Sequence, residues 1–304
     1  MSVHTKDPVA TFGVPLIKSI LDFGTMKSRG QKISMVTCYD STSAAIVAAS
    51  SIDCILVGDS VAMTMHGYDS TLPATADLMA LHVAAVRRGV SVGGTGASKF
   101  IIGDMPFLAH RGSLDSTYEA VRKIMTAGAQ AVKIEGIDGS EDVIRHIVQS
   151  GVPVMAHLGL TPQSVHQFGG FKLQATSAQA QDILMEQALK VEAAGAFALV
   201  LECVPTSIAT RVTEVLKIPT IGIGAGAGCS GQVLVFQDLL GLNPAFKPKF
   251  VRKYADGFQF FVDALDHYHD DVISGDFPSA KEGYVLPSEK TSADAVTPSP
   301  GTST

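Results

Sequence analysis

The chain is poor in the features that mark several protein classes. Its 304 residues hold only four cysteines, Cys38, Cys54, Cys203 and Cys229, with no CxxC pair among them. They sit beside apolar runs or a glycine-rich loop, so they read as buried thiols of a reducing compartment, not as zinc ligands or a disulfide framework. No apolar run approaches the roughly 18–20 residues that cross a bilayer, although 46% of the residues are hydrophobic; no membrane partner is expected. The opening "MSVHTKDPVATFG" shows neither a basic segment followed by an apolar one nor an Arg-rich, acid-poor character, and the expected location is the cytoplasm. Basic residues are scattered and outnumbered, 23 against 29 acids with a net charge of -6. Without a basic stripe, no nucleic-acid partner is expected.

What is present is alternation. From Ile33 onward, short β-branched runs take turns with longer Ala-rich stretches of helical spacing. The strand candidates are "ISMVTCYD", "CILVGDS", "FIIGD", "AVKIE", "VPVMAHL", "ALVLEC", "PTIGIGAG" and "QVLVF". Helix candidates between them, such as "STYEAVRKIMTAG", open on Ser, Thr or Pro and close on Gly. Strand, helix, strand repeated in this way implies parallel strands with right-handed crossovers, and eight units favour a (β/α)8 TIM barrel over a doubly wound sheet. Residues 1–32 read as a helical lead-in able to cap the N-terminal face. Residues 33–280 read as a single barrel domain with C-terminal helices. Residues 281–304, rich in Ser, Thr and Pro, read as a disordered tail.

Four apolar runs end in acids: "CILVGDS" in Asp59, "FIIGD" in Asp104, "AVKIE" in Glu135 and "ALVLE" in Glu202. In a parallel barrel every strand's C-terminal end lies on one face, which is where such barrels keep their chemistry. Four acids crowded there repel unless a cation or a shared proton relieves them. Oxygen-only ligands point to Mg2+ over Zn2+. The plain structural alternative is that each acid caps the helix after it. It suits Asp40, which precedes a helical run. It suits Asp59 less, because "VAMTMHGYDSTLP" reads as a loop, and Glu135 less, because Ser140 is the better cap.

Lys133 and Glu135 fall on the same side of an alternating strand and would both point into the barrel. A buried lysine is costly unless paired; with Glu135 it would be structural, and beside a metal it would bind a substrate carboxylate or enolate. His157 ends a strand on the same face and could hydrogen-bond a substrate or be structural, while His66 and His166 fall in loops. Gly226, Gly228 and Gly231 have GxGxxG spacing, but a strand-like run follows where a phosphate-binding helix is required, so a dinucleotide site is not expected.

In order along the chain, "TCYDSTSA", "LVGDSVAMTMHGYDSTLP", "HVAAVRRG", "GDMPF", "AVKIEG", "HLGLTPQS", "FGGFKLQ", "LECVP", "IPTIGIGAGAGCSGQVLV" and "GDFP" together resemble the ketopantoate hydroxymethyltransferase family, from about Val14 to Pro278. The resemblance implies a (β/α)8 barrel of the phosphoenolpyruvate/pyruvate type and a homo-oligomer, typically a decamer. It also implies hydroxymethyl transfer from 5,10-methylenetetrahydrofolate to 3-methyl-2-oxobutanoate on the route to pantothenate and coenzyme A. By motif it implies Mg2+ on Asp59, Asp104 and Glu135. The keto acid would lie against Asp59, Ser60, Asp104 and Lys133, with Glu202 as proton acceptor. The chain departs from the usual pattern at Gly103, where Ala is common, at His110, where Tyr is frequent, and at Ser230, where Asp is usual; its Val90–Lys99 segment is longer. Two other readings stay open: a Mg2+-dependent C–C lyase of the isocitrate lyase/phosphoenolpyruvate mutase type, and a non-catalytic keto-acid-binding barrel.

Overall fold

The computed structural model describes residues 17–92 and 99–284. Most of the lead-in before Ile17, part of the long segment after α4 below, and the tail from residue 285 lie outside the described residues. Eight strands, β1 (Ile33–Thr37), β2 (Cys54–Val57), β3 (Phe100–Asp104), β4 (Ala131–Glu135), β5 (Val154–Gly159), β6 (Ala198–Glu202), β7 (Thr220–Ile223) and β8 (Gly231–Leu234), form a closed barrel in sequence order. Every neighbouring pair is parallel, including β1 with β8. The helices are α1 (Ile20–Ser28), α2 (Ser41–Ala48), α3 (Val61–Thr64), α4 (Ala76–Val92), α5 (Leu114–Thr126), α6 (Glu141–Gln149), α7 (Val165–Phe168), α8 (Ala178–Ala193), α9 (Thr206–Val215), α10 (Phe236–Leu239) and α11 (Gly257–Ser274).

The pleat divides each strand between two cores. In β4, Val132 and Ile134 face outward into the layer shared with the helices, while Ala131 faces in. The inner core also takes Met35, Cys54, Ile102, Met155, Ala198, Val200 and Ile221. Following the inward parity along a strand, the side chain changes character: Ala131 gives way to Lys133 and Glu135, Ile102 to Asp104, Met155 to His157 and Val200 to Glu202. The N-terminal half of the lumen is therefore apolar and the C-terminal half is polar. Helix α1 closes the apolar end. Its Phe23 packs edge-on against Phe100 and Phe197, with ring centroids 5.4 and 5.1 Å away. Lys27 Nζ donates to the carbonyls of Thr213, Leu216 and Ile218 at the end of α9, where the helix dipole favours a cation.

Several local expectations change. The run after Asp59 is not a loop throughout, since Val61–Thr64 forms the one-turn α3. His166 lies in the short α7. Ser140 stands at the start of α6, but its hydroxyl donates to the Ile137 carbonyl and does not cap. Asp40 does cap α2, accepting from the N–H groups of Thr42 and Ser43. Helix α11 differs from the other long helices: only Gly257 is buried, and Phe260, Phe261, Leu265 and Ile273 are exposed. Cys38, Cys54 and Cys229 are buried and Cys203 half-buried, all as free thiols.

Candidate active site

Strand register assembles the site. Across β3 and β4, Asp104 stands beside Lys133; across β4 and β5, Glu135 stands beside His157. Lys133 Nζ lies 3.2 Å from Asp104 Oδ1 and 3.4 Å from Glu135 Oε1, and all three side chains are nearly fully buried. The buried lysine is thus paired with a neighbouring strand as well as with its own. Glu135 Oε1 also accepts from His157 Nδ1 at 3.1 Å, while Oε2 accepts from the Gln163 backbone N–H at 3.0 Å.

Asp59 lies two residues beyond the end of β2, past Gly58. Its backbone N–H donates to Asp104 Oδ2 at 2.9 Å, and its own Oδ2 accepts from Gln163 Nε2 at 2.8 Å. Its carboxylate therefore faces the lumen and caps nothing. The same Gln163 amide donates to the Met105 carbonyl at 2.9 Å. Ser60 meets the hydroxyl of the fully buried Tyr39 at 2.7 Å. Glu202 is the most open of the acids, with 16% of its side chain exposed, and its Oε2 lies 3.3 Å from His157 Nε2. That contact is an ion pair without hydrogen-bond alignment, since His157 Nε2 makes no hydrogen bond.

Burial dominates the electrostatics. It pushes the Asp59 carboxyl well above the usual range, with repulsion from Glu135 and Asp104 adding to it. Burial likewise raises Asp104, against the pull of Lys133. Burial opposes ionisation of Glu135 too, but Lys133 and His157 overcome it and hold that carboxyl down to about 2. For His157, burial and Lys133 disfavour the imidazolium; Glu135 and Glu202 outweigh them and lift it to about 9. Lys133 is raised despite burial by Asp104, Glu135 and Asp59. Even with one lysine among them, the three inner acids are under-compensated, and two of them take up protons unusually readily.

That imbalance tests the fit of a hard cation. The donors are all carboxylate oxygens, and among the described residues buried Asp104 Oδ1 has only its ion pair with Lys133 and no aligned hydrogen bond. Among the described residues, no three His, Cys, Asp or Glu side chains are drawn together as a ready ligand set. Mg2+ suits this arrangement, because it keeps several waters and needs only one or two protein carboxylates. The Asp59 backbone N–H joins it to Asp104, and Gln163 links Asp59 to Glu135.

Comparison with known proteins adds a second line. The family model described as ketopantoate hydroxymethyltransferase matches residues 18–280. The chain belongs to the ketopantoate hydroxymethyltransferase family. A 3-methyl-2-oxobutanoate hydroxymethyltransferase of Bdellovibrio bacteriovorus is 56% identical over 268 residues, 88% of this chain and 100% of that protein. One of Legionella pneumophila is 50% identical over 266 residues, 87% of this chain and 99% of that protein. Among solved structures, a phosphoenolpyruvate phosphomutase from Streptomyces platensis subsp. rosaceus shares the fold, with a TM-score of 0.55 at 12% identity over 90% of this chain and 93% of that one. A phosphonopyruvate hydrolase solved with oxalate and Mg2+ also has a TM-score of 0.55, at 12% identity over 86% and 92%.

The departures from the family pattern have structural settings. Gly103 faces outward, and a Cβ there would come 2.5 Å from Ile124 Cγ2. Ser230 exchanges hydrogen bonds with Thr220, its hydroxyl accepting from the Thr220 N–H while Thr220 Oγ1 accepts from its own. His110 is buried, neither ring nitrogen has a hydrogen-bond partner among the described residues, and burial with the nearby Arg111 lowers it to about 4.

Sequence reasoning missed Gln163 and Tyr39. Gln163 lies in "HLGLTPQS", quoted for its resemblance alone. Tyr39 is the apolar-looking neighbour of a helix cap. Neither has a spacing signal, since each acts on residues far along the chain.

Proposed function

We propose that the chain transfers a hydroxymethyl group from 5,10-methylenetetrahydrofolate to 3-methyl-2-oxobutanoate, giving ketopantoate. The observation that carries the reading is the polar end of the lumen: a buried acid set, under-compensated by Lys133, faces one slightly exposed carboxylate, in a chain of this family. Asp59 and Asp104 would hold Mg2+, with Glu135 completing the set. Bound there, the ion supplies Lewis acidity to the keto acid's carboxylate and keto oxygens.

The chain's own groups supply the rest. Glu202 takes the proton from C3 of the keto acid, and His157, 3.3 Å from its carboxylate, holds it in place. Lys133 offsets the negative charge that builds up on the substrate oxygens as that proton leaves. Ser60, oriented by Tyr39, donates to the keto acid. C3 then forms its new bond to the folate-borne carbon, the carbon–nitrogen bonds to the folate break, and water provides the hydroxyl oxygen. The lyase alternative has only the barrel in its favour, and the barrel is common to both.

The protein would act as a homo-oligomer, ten copies being the family expectation. The exposed apolar face of α11, with the groove of about 410 Å3 that Leu240, Leu242, Phe260 and Phe261 help to line, would lie against a neighbouring copy. No helix among the described residues is long and apolar enough to cross a membrane.

The decisive experiment follows C3–H exchange of 3-methyl-2-oxobutanoate in D2O by NMR, beside a ketopantoate assay with and without Mg2+. Glu202→Gln should abolish exchange while keto-acid binding persists. Full exchange in that variant would remove Glu202 as the base, and folate-dependent turnover absent from the unaltered protein would remove the reading.

A further inference from the structure

Outside the acid cluster, a second constellation is tied to the site and unused by the reaction as described above. His82, on α4, places Nδ1 2.6 Å from the backbone carbonyl of Tyr39. Its Nε2 lies 2.9 Å from Nε2 of His66, just past α3, and the two rings meet edge-on with centroids 5.2 Å apart. A carbonyl can only accept, so His82 Nδ1 carries the hydrogen. In the neutral ring Nε2 is then an acceptor, and His66 Nε2–H donates to it. The metal-ligating imidazoles of many proteins are oriented by a similar hydrogen bond at the second nitrogen; here the oriented group is the carbonyl's owner.

Tyr39 is the point where two chains of contacts meet. Its hydroxyl is 2.7 Å from Ser60 Oγ, and its carbonyl is held by His82. His66 follows Ser60 by six residues, across α3. Both ends of the Ser60–His66 segment therefore return to Tyr39, one at its side chain and the other, through His82, at its backbone. Tyr39 has no exposed surface, so its hydroxyl direction follows from where its backbone is pinned.

We propose that His82 is a positioning residue for the keto-acid site, acting through Tyr39 on Ser60, with His66 bracing its ring. The inference rests on the reading of Ser60 as a substrate contact. Without the His82 N–H, the Tyr39 carbonyl loses its side-chain partner, and a shift of the backbone there carries the packed phenol with it. The Ser60 hydroxyl then loses its fixed acceptor geometry. Asp59, Lys133 and Glu202 are untouched, so binding should suffer more than the chemical step.

The test is calorimetric titration of the full-length protein with 3-methyl-2-oxobutanoate in Mg2+, beside steady-state kinetics. His82→Leu should weaken keto-acid binding about 10-fold and raise KM alike, with kcat changed by less than about 3-fold. His82→Asn, whose amide N–H can replace Nδ1–H, should bind nearly as the unaltered protein does. His66→Ala, at an exposed position where folding is safe, should weaken binding by about 2- to 3-fold. If His82→Leu lowers thermal stability and leaves binding unchanged while Ser60→Ala weakens it, His82 is merely structural and the inference fails. Should His82→Leu not fold, equal binding losses in His82→Asn and His66→Ala would overturn the inference, because the donor to Tyr39 would then be irrelevant. Were Ser60→Ala also silent, the inference would fall with the Ser60 reading. That outcome differs visibly from failure of the functional reading, in which the unaltered protein binds no keto acid.

Discussion

Replacing Lys133 by methionine keeps the volume and removes the charge. Its ammonium lies 3.2 Å from Asp104 and 3.4 Å from Glu135. At an effective dielectric of about 20, each attraction is worth about 5 kcal/mol before desolvation. Desolvation of the ammonium returns several kcal/mol, so the net cost of breaking the pair is about 3–5 kcal/mol at neutral pH. The pH dependence follows from which carboxyls the ammonium serves. In the unaltered protein Glu135 is held to about 2, below its unfolded value of about 4.3, so its contribution is present above pH 4 and lost as pH falls through 2. Without Lys133, burial acts on Glu135 and Asp104 with less opposition, and their folded values rise. A carboxyl raised on folding stabilises at low pH and loses that contribution as pH rises. The deficit of Lys133→Met should therefore be about 1 kcal/mol at pH 4 and about 3–5 kcal/mol at pH 7.5. Urea unfolding at both pH values, in chelator, measures it, and millimolar Mg2+ should recover part of the loss at pH 7.5. An equal deficit at the two pH values would refute the assignment of Lys133 as the charge that keeps Glu135 ionised and opposes the rise of Asp104.

Gly89→Ala should destabilise by about 1–3 kcal/mol, against the gain of about 1 kcal/mol that alanine brings to an ordinary helix interior. A Cβ at Gly89 would run into the backbone of Ser41 at the head of α2; a raised denaturation midpoint would show that the two helices can part. Gln163→Leu leaves Asp59 Oδ2 and the Met105 carbonyl without their amide donor. It should lower stability by about 1–3 kcal/mol and weaken Mg2+ binding about 10-fold, read by titrating the ion into chelator-treated protein. Asp238 is raised by burial to about 6, above its unfolded value of about 3.9, so stability falls as pH rises from about 4 through about 6 and the loss is complete above that. Asp238→Asn should stabilise by about 1 kcal/mol at pH 8 and not at pH 4, and thermal scans at the two pH values that show the same gain would contradict that cause.

The amount of the site visible in the sequence varies by residue for physical reasons. Asp104, Glu135 and Glu202 end apolar runs, and parallel pairing carries every such end to the same face, so their meeting follows from one-dimensional pattern plus topology. Asp59 was visible in the same way, although it stands beyond β2 and is aimed by a hydrogen bond from a residue 104 positions away. His157 offered less: a histidine at a strand end does not say what it touches, and it touches two glutamates. Gln163 and Tyr39 carried no pattern at all. An amide or a phenol acquires a role here only through the groups placed around it, and those come from other strands.

By itself, then, the chain's alternation of apolar runs and Ala-rich helices determined eight parallel βα units, and its acids determined that one end of them would be charged. Both follow from local periodicity and from the common direction of the strands. Tertiary structure alone decided how that charge is shared. Register set Lys133 beside Asp104 on the next strand and His157 beside Glu135. Burial then decided which carboxyls hold protons readily and which do not. Register and burial are relations between residues far apart in the chain, and a linear sequence contains neither until the barrel closes.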